Sequence, residues 1–84
     1  MSRGAGITAR ELDVLSAWWL TGSVKAAASL LAMPEQSAKN HLHLARVRSG
    51  AASNVLLVQR YLFDLRSLAE LRRTQHKRAR RAVA

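Results

Sequence analysis

Polar side chains of the kinds that read DNA bases recur along one predicted helix in the middle of the chain. They are Gln36, Lys39, Asn40 and His43. Residues three, four and seven positions apart lie on one face of an α-helix. In the major groove, asparagine and glutamine pair with adenine, and lysine donates hydrogen bonds to guanine. Because an α-helix fits that groove, the spacing predicts contacts from these four side chains to base edges.

The same helix carries candidates for contacts to the phosphate backbone. Arg46 and Arg48 lie near its end, and Ser37 lies near its start. Hydroxyl and guanidinium groups bind phosphate oxygens without reading sequence, so we assign these three residues to phosphate contact. A solvated polar face is the alternative for the whole helix side, because surface helices normally keep a polar outer face.

The composition favours a polyanionic partner. The chain has 84 residues, 14 lysines and arginines, 5 aspartates and glutamates, and a formal net charge of +9. This balance is typical of small proteins that bind nucleic acid or an anionic membrane surface. Six basic residues and no acidic one fall within residues 72–84, which we expect to form a mobile basic tail. The domain itself is expected to span residues 7–71, after a disordered N-terminus of residues 1–6.

Other function classes find little support in the residues. The acids are scattered, cysteine is absent, and no nucleophile with a base or glycine-rich phosphate loop stands out, so we expect neither an enzyme nor a cofactor. His41 and His43 point to different sides of a helix, which argues against a metal site. No stretch approaches the roughly 20 apolar residues that span a bilayer. We expect a cytoplasmic, nucleoid-associated protein without a membrane partner.

Four helices are predicted to position the polar residues. Thr8 and Glu11 have the spacing of a capping box, and the first helix is expected from Ala9 to about Leu20. Gly22 ends it, because glycine adopts the left-handed conformation at little cost. The apolar stripe of this helix, which we place in the core or at its edge, comprises Val14, Leu15, Trp18 and Trp19.

A helix-turn-helix arrangement follows the first helix. Ser23 is expected to cap a short, alanine-rich second helix, and Pro34 to occupy the first position of a third helix that ends near Arg48. The apolar face of the third helix comprises Ala38, Leu42 and Ala45. Two short helices joined by a tight turn, the second with a polar outer face, are typical of this DNA-binding motif.

The last helix is predicted to start after a cap at Ser53 and to run unbroken to about His76, a length of about 35 Å. Its apolar residues follow the 3-4-3 spacing of a coiled-coil seam. We expect a homodimer through Val58, Tyr61, Leu62, Leu65 and Leu68. In the alternatives, the first half of the helix packs on the domain core, or a different protein covers the apolar patch.

Two segments resemble the DNA-binding domain of the LuxR/FixJ type. Ile7–Leu15, which reads ITARELDVL, is similar to the family opening L-T-x-R-E-x-E-V-L, and Glu35–Leu42, which reads EQSAKNHL, is similar to the recognition-helix signature E-x-T-V-K-x-H-L. Their separation matches the family spacing without a gap, and the likeness covers about residues 7–58. It implies a four-helix domain whose third helix enters the major groove, with Lys39, Asn40 and His43 facing bases.

The resemblance further implies a regulator of transcription that often dimerises through its fourth helix. The chain departs from the pattern at Pro34, where the family usually has a serine, and at Ala26 and Ala27, where it has an acidic and a branched residue. We therefore expect an all-α, stand-alone regulator that binds double-stranded DNA. The alternatives are a module like region four of a sigma factor that acts through RNA polymerase, an adaptor for another regulator, and a charge-driven RNA or nucleoid binder.

Overall fold

The computed structural model describes the backbone of residues 6–83 and the side chains of residues 6–75. Within that part the fold is all-α, as predicted, and contains no strand. The helices are α1 (Ala9–Thr21), α2 (Val24–Leu30), α3 (Glu35–Ser49), α4 (Asn54–Arg60) and α5 (Leu68–Val83), and a single 3-10 turn (Leu62–Asp64) separates the last two.

The predicted starts of α1, α2 and α4 are confirmed by their caps. The Thr8 N–H donates to Glu11 Oε1 and the Glu11 N–H donates to Thr8 Oγ1, both at 3.0 Å, which completes the capping box. The Ser23 hydroxyl accepts a hydrogen bond from the Ala26 N–H in the first turn of α2, and the Ser53 hydroxyl accepts one from the Leu56 N–H at the start of α4. Each serine or threonine thereby satisfies a backbone donor that the helix itself leaves unpaired.

Glycine ends α1 and α3. Gly22 and Gly50 have φ values of 89° and 75°, a left-handed conformation that a side chain would strain. The α2–α3 turn uses Ala32 in a similar conformation, with φ of 54°. Pro34 was predicted to be the first residue of the third helix, but it is the N-cap of α3, makes no side-chain cap bond and is followed by Glu35 as the first helical residue.

Helix α1 forms the centre of the fold, because it contacts each of the other four α-helices. Apolar burial along these contacts is the main source of stability. Each α-helix supplies at least one of the largest fully buried apolar side chains, except α2, whose contribution comes from the residue that follows it. These side chains are Val14, Leu15, Leu31, Leu42, Leu57 and Leu71. Trp18 packs partly against this core, but Trp19 is 53% exposed, so its predicted place in or beside the core is wrong.

The predicted single long helix after Ser53 is wrong. Helix α4 ends at Arg60, the 3-10 turn follows, and Leu65 is extended with φ of −60° and ψ of 142°. Helix α5 then starts from a second capping box, in which the Ser67 N–H donates to Glu70 Oε1 at 2.7 Å and the Glu70 N–H donates to Ser67 Oγ at 3.1 Å. Ser67 and Glu70 carried a local signal that the helix would be interrupted.

Packing explains why the chain breaks here. In one straight helix, Leu57 and Leu71 would be about 21 Å apart along the axis. The break allows both leucines to be fully buried in the same core. Burial of two leucine side chains is worth about 3–6 kcal/mol, which offsets the loss of a few helical hydrogen bonds at about 1 kcal/mol each.

Polar contacts to α1 fix the segment between α4 and α5. The Arg66 N–H donates to Ser16 Oγ at 2.9 Å, and Arg66 Nε lies 2.8 Å from the buried Asp13 carboxylate. The Ser16 hydroxyl in turn donates to the Leu12 carbonyl. The interruption is therefore held by the central helix rather than by its own backbone alone.

The chain ends differ from the prediction as well. Gly6, predicted to be disordered, is packed so closely that an added Cβ would lie 2.5 Å from the Tyr61 hydroxyl. Residues 1–5 lie outside the described part. Helix α5 continues to Val83, so residues 72–83, predicted to be a mobile tail, have a helical backbone. Among the described residues, no helix is both long enough and apolar enough to cross a membrane.

Candidate nucleic-acid interface

Helix α3 has one buried and one exposed side. Its buried side comprises Ala38, Leu42 and Ala45, all at most 1% exposed, as predicted. The four residues predicted to contact bases, Gln36, Lys39, Asn40 and His43, are all exposed on the opposite side. We refer to these four as the α3 polar face. The small buried alanines bring α3 close to the core, and the polar residues remain accessible.

The α3 polar face lines one shallow, open depression. The starts of α2 and α4 contribute Val24 and Asn54 to its walls, and Arg46 closes it toward the end of α3. The structure therefore brings together all four predicted base-contact residues and one of the predicted phosphate-contact residues. The proximity of Val24 and Asn54 to the polar face depends on how three helices pack, so it could not be predicted from the sequence.

Hydrogen bonds and an ion pair organise the polar face. Gln36 Nε2 donates to Asn40 Oδ1 at 3.1 Å, and Lys39 Nζ lies 3.8 Å from Glu35 Oε2. Both pairs join residues four positions apart, which adjoin on a helix surface. The Lys39–Glu35 pair is well exposed and contributes little stability, so Lys39 is available to another partner.

Arg46 is held at the edge of the polar face. Its Nη1 donates to Asn54 Oδ1 at 2.5 Å, and the residue is half-buried. A guanidinium has five N–H donors, so one bond to Asn54 leaves others for a phosphate oxygen. Asn54 thereby orients Arg46 beside the four base-contact candidates.

Arg48 has a different position. Its guanidinium donates to Glu11 Oε1, so it links the end of α3 to the start of α1. Arg48 thus has an internal partner, and its phosphate contact stays a prediction. Ser37, the third residue in that group, is half-buried near the start of α3, and its phosphate contact is likewise untested.

The Glu11 carboxyl is the buried acceptor of this link. Burial alone would raise its pKa, but the hydrogen bonds from Arg48 and the Thr8 N–H, together with the charge of Arg48, outweigh that effect. The pKa of Glu11 is therefore lowered from its ordinary value. The same bond to Glu11 raises the pKa of Arg48.

The predicted dimer seam is not one continuous surface. Val58 and Tyr61 are buried in the core, and Leu65 packs against it. Leu62 and Leu68 are exposed, at 49% and 38%. Because the helix is broken, these residues do not share one helix face. Val58 and Tyr61, the first residues of the 3-4-3 pattern, are apolar because they pack within one chain. Dimerisation itself stays a prediction.

No metal centre assembles within the described part of the chain, where no group of three or more histidine, cysteine, aspartate or glutamate side chains could hold an ion. His41 is half-buried, whereas His43 belongs to the α3 polar face.

Comparisons of the chain with protein-family models, curated protein sequences and solved structures found no match. The likeness to the LuxR/FixJ type therefore depends on residues 7–15 and 35–42 alone. In the fold, the first of these segments supplies the cap and start of α1, and the second supplies the start of α3. The geometry and chemistry of α3 are accordingly the basis for a functional assignment.

Proposed function

We propose that this protein binds double-stranded DNA and reads its sequence with the α3 polar face, as a regulator of transcription. One observation carries the proposal: four side chains of base-reading types are exposed together on one helix whose opposite side is buried. The preceding helix α2 and a four-residue turn give α3 the surroundings of a second helix in a helix-turn-helix motif.

The charge distribution supports a phosphate-rich partner. Arg46 stands beside the polar face, and α5 contains six basic residues and one acidic residue, Glu70. Phosphate contacts supply affinity and orientation, while base contacts supply specificity. In this proposal α3 selects the sequence, and the basic residues outside it strengthen binding to any duplex.

A second candidate function is docking of another protein at the 3-10 turn. Phe63 is 97% exposed and stands between the exposed Leu62 and Leu68 on a segment anchored to α1. Exposed apolar groups of this kind often mark interfaces. A partner held there, such as RNA polymerase or another regulator, is compatible with DNA binding by α3 and is the alternative to self-association through the same residues.

The proposal is tested by selection from a random DNA pool followed by affinity measurements. We expect the wild-type chain to enrich one sequence and to bind it about 10³-fold more tightly than a scrambled duplex. Lys39→Ala and Asn40→Ala should reduce that ratio strongly without changing the circular dichroism spectrum, because both side chains are exposed.

Arg72→Ala provides the matched control. It removes one exposed positive charge from α5, as Lys39→Ala removes one from α3. It should weaken binding to the selected and scrambled duplexes equally and reduce the slope of log affinity against log salt by about one. If the wild-type chain enriches no sequence and its affinity depends on salt alone, the protein is a charge-driven binder and the proposal is wrong.

A further inference from the structure

The two amide side chains of the α3 polar face are bonded to each other. Gln36 Nε2 donates to Asn40 Oδ1 at 3.1 Å, and both side chains line the open depression. If the Asn40 amide were turned over, two nitrogen donors would face each other. With the Gln36 nitrogen as the donor, this bond places the Asn40 oxygen on the Gln36 side and the Asn40 nitrogen on the other side.

Asn40 keeps one acceptor site and two donors for another molecule. Its Oδ1 has two acceptor sites, of which Gln36 uses one, and its Nδ2 remains unoccupied by that bond. In the major groove, adenine presents one acceptor, N7, next to one donor, the N6 amino group. Guanine presents two acceptors, N7 and O6, so the fixed Asn40 oxygen would face an acceptor there.

The neighbouring cations have a different chemistry. Lys39, which lies near Glu35, and Arg46, which is bonded to Asn54, carry donors and no acceptor. Such groups match guanine or phosphate rather than adenine. His43 offers its two ring nitrogens on separate sides of the ring. The amide of Asn40, with Gln36 behind it, is therefore the part of the polar face that matches an adenine edge.

We propose that Asn40 selects an adenine in the DNA site and that Gln36 is the positioning residue that holds the Asn40 amide in the adenine-reading orientation. This inference rests on the proposed function and identifies one base that the same site recognises. It predicts the direction of the contact as well: the N6 amino group lies toward the Gln36 side and N7 toward the side of the Asn40 nitrogen.

The first test concerns Asn40 and uses the duplex selected by the wild-type chain. Asn40→Ala should lower the preference for A·T over G·C at one position by about tenfold and leave the other positions unchanged. Replacement of that adenine by 7-deazaadenine, which lacks N7, should weaken binding of the wild-type chain about fivefold or more and leave binding of Asn40→Ala unchanged.

The second test compares Gln36→Lys with Gln36→Glu. Lysine keeps a donor for Asn40 Oδ1, whereas glutamate offers an acceptor and would turn the Asn40 amide over. We expect Gln36→Lys to retain the A·T preference and Gln36→Glu to lose it to the same extent as Asn40→Ala. The measured quantity is the A·T to G·C affinity ratio within each variant, in which a uniform effect of the altered charge cancels.

The outcomes separate this inference from the proposed function. A wild-type chain that enriches no sequence would overturn both. If a sequence is enriched but Asn40→Ala keeps every base preference, or 7-deazaadenine does not weaken wild-type binding, the adenine assignment alone is wrong. Equal A·T preferences in folded Gln36→Lys and Gln36→Glu variants would overturn the positioning role of Gln36. Circular dichroism establishes that each variant is folded.

Discussion

At the scale of single residues, the buried carboxylate of Glu11 has two structural roles. It completes the capping box of α1 and accepts a hydrogen bond from Arg48 at the end of α3. The first role follows from a local spacing that the sequence reveals. The second joins residues 37 positions apart, so it depends on the packing of α1 against α3. Glu11 thus links the start of the fold to the helix that carries the polar face.

The lowered pKa of Glu11 predicts a pH-dependent contribution to stability. Because the folded-state pKa lies below the unfolded value, the contribution is complete above about pH 4.3 and is lost as pH falls through the folded-state pKa. Glu11→Gln should lower the free energy of unfolding by about 1–2 kcal/mol at pH 7 and by less at pH 3. Urea unfolding at both pH values measures the difference.

Glu35→Gln is the control for that experiment, because Glu35 is an exposed carboxylate on α3. It should change the free energy of unfolding by less than about 0.5 kcal/mol at pH 7. An effect of Glu11→Gln that is equally large at pH 3 and pH 7 would show that the charge of Glu11 does not stabilise the fold.

Ala32 offers a second prediction at this scale. Its left-handed conformation costs a residue with a side chain about 1–2 kcal/mol, whereas glycine adopts it freely but loses about 0.5–1 kcal/mol of chain entropy on folding. Ala32→Gly should therefore raise the free energy of unfolding by up to about 1 kcal/mol, measured by urea titration. A clear loss of stability would contradict the strain assigned to the α2–α3 turn.

At the scale of elements, the interruption between α4 and α5 shows what a local reading of the sequence misses. The caps at Thr8, Ser23 and Ser53 were predicted correctly, because each joins residues three apart. The break contains neither glycine nor proline. Its main causes are the contacts from Arg66 to α1, 50 residues away, and burial of Leu71, which periodicity alone does not reveal.

The α3 polar face could be predicted from sequence for a related reason. Its four members and the buried alanines opposite them belong to one regular helix, so their sides follow from spacing alone. The partners of Arg46 and Arg48 lie on other helices and could not be predicted in this way. One local signal of the break between α4 and α5 is present in the sequence, because Ser67 and Glu70 have the spacing of a capping box.

Arg66→Ala tests what holds the interruption in place. The substitution removes the Arg66 Nε contact at 2.8 Å from the buried Asp13 carboxylate, so we expect the free energy of unfolding to fall by about 1–3 kcal/mol. Arg73→Ala, at an exposed position of α5, should have an effect below about 0.5 kcal/mol. Equal stabilities of the two variants in urea would mean that the Asp13–Arg66 pair does not anchor the segment.

At the scale of the whole molecule, the exposed apolar side chains indicate a different homodimer contact from the one predicted from the sequence. Leu65 packs against the core, so its substitution would disturb the fold itself. Phe63, Leu62 and Leu68 are the exposed apolar residues near the helix break. A symmetric pair of chains is therefore expected to meet through these three residues rather than through a long coiled coil.

Sedimentation equilibrium tests that expectation. The wild-type chain should have about twice the monomer mass of 9.3 kDa, and Phe63→Glu should have the monomer mass with an unchanged circular dichroism spectrum. Val55→Glu is the control, because Val55 is an exposed apolar residue on α4 outside this group. This variant should remain a dimer. Monomer masses for all three proteins would rule out self-association through this patch at the concentrations used.

The net charge of +9 is also a property of the whole molecule. Basic residues on α5 attract any phosphate backbone, and a charge-driven binder would make its main contacts there. A sequence-specific binder must instead place the α3 polar face against base edges. The two possibilities predict different contact surfaces on one small chain.

The most direct measurement is therefore an NMR titration of the ¹⁵N-labelled chain with its selected duplex at moderate salt. Sequence reading by α3 predicts that the largest changes in chemical shift occur at Gln36, Lys39, Asn40 and His43, and that a scrambled duplex leaves these signals nearly unchanged. Large changes confined to α5 or to residues 62–68, with the α3 polar face unaffected by the selected duplex, would contradict it.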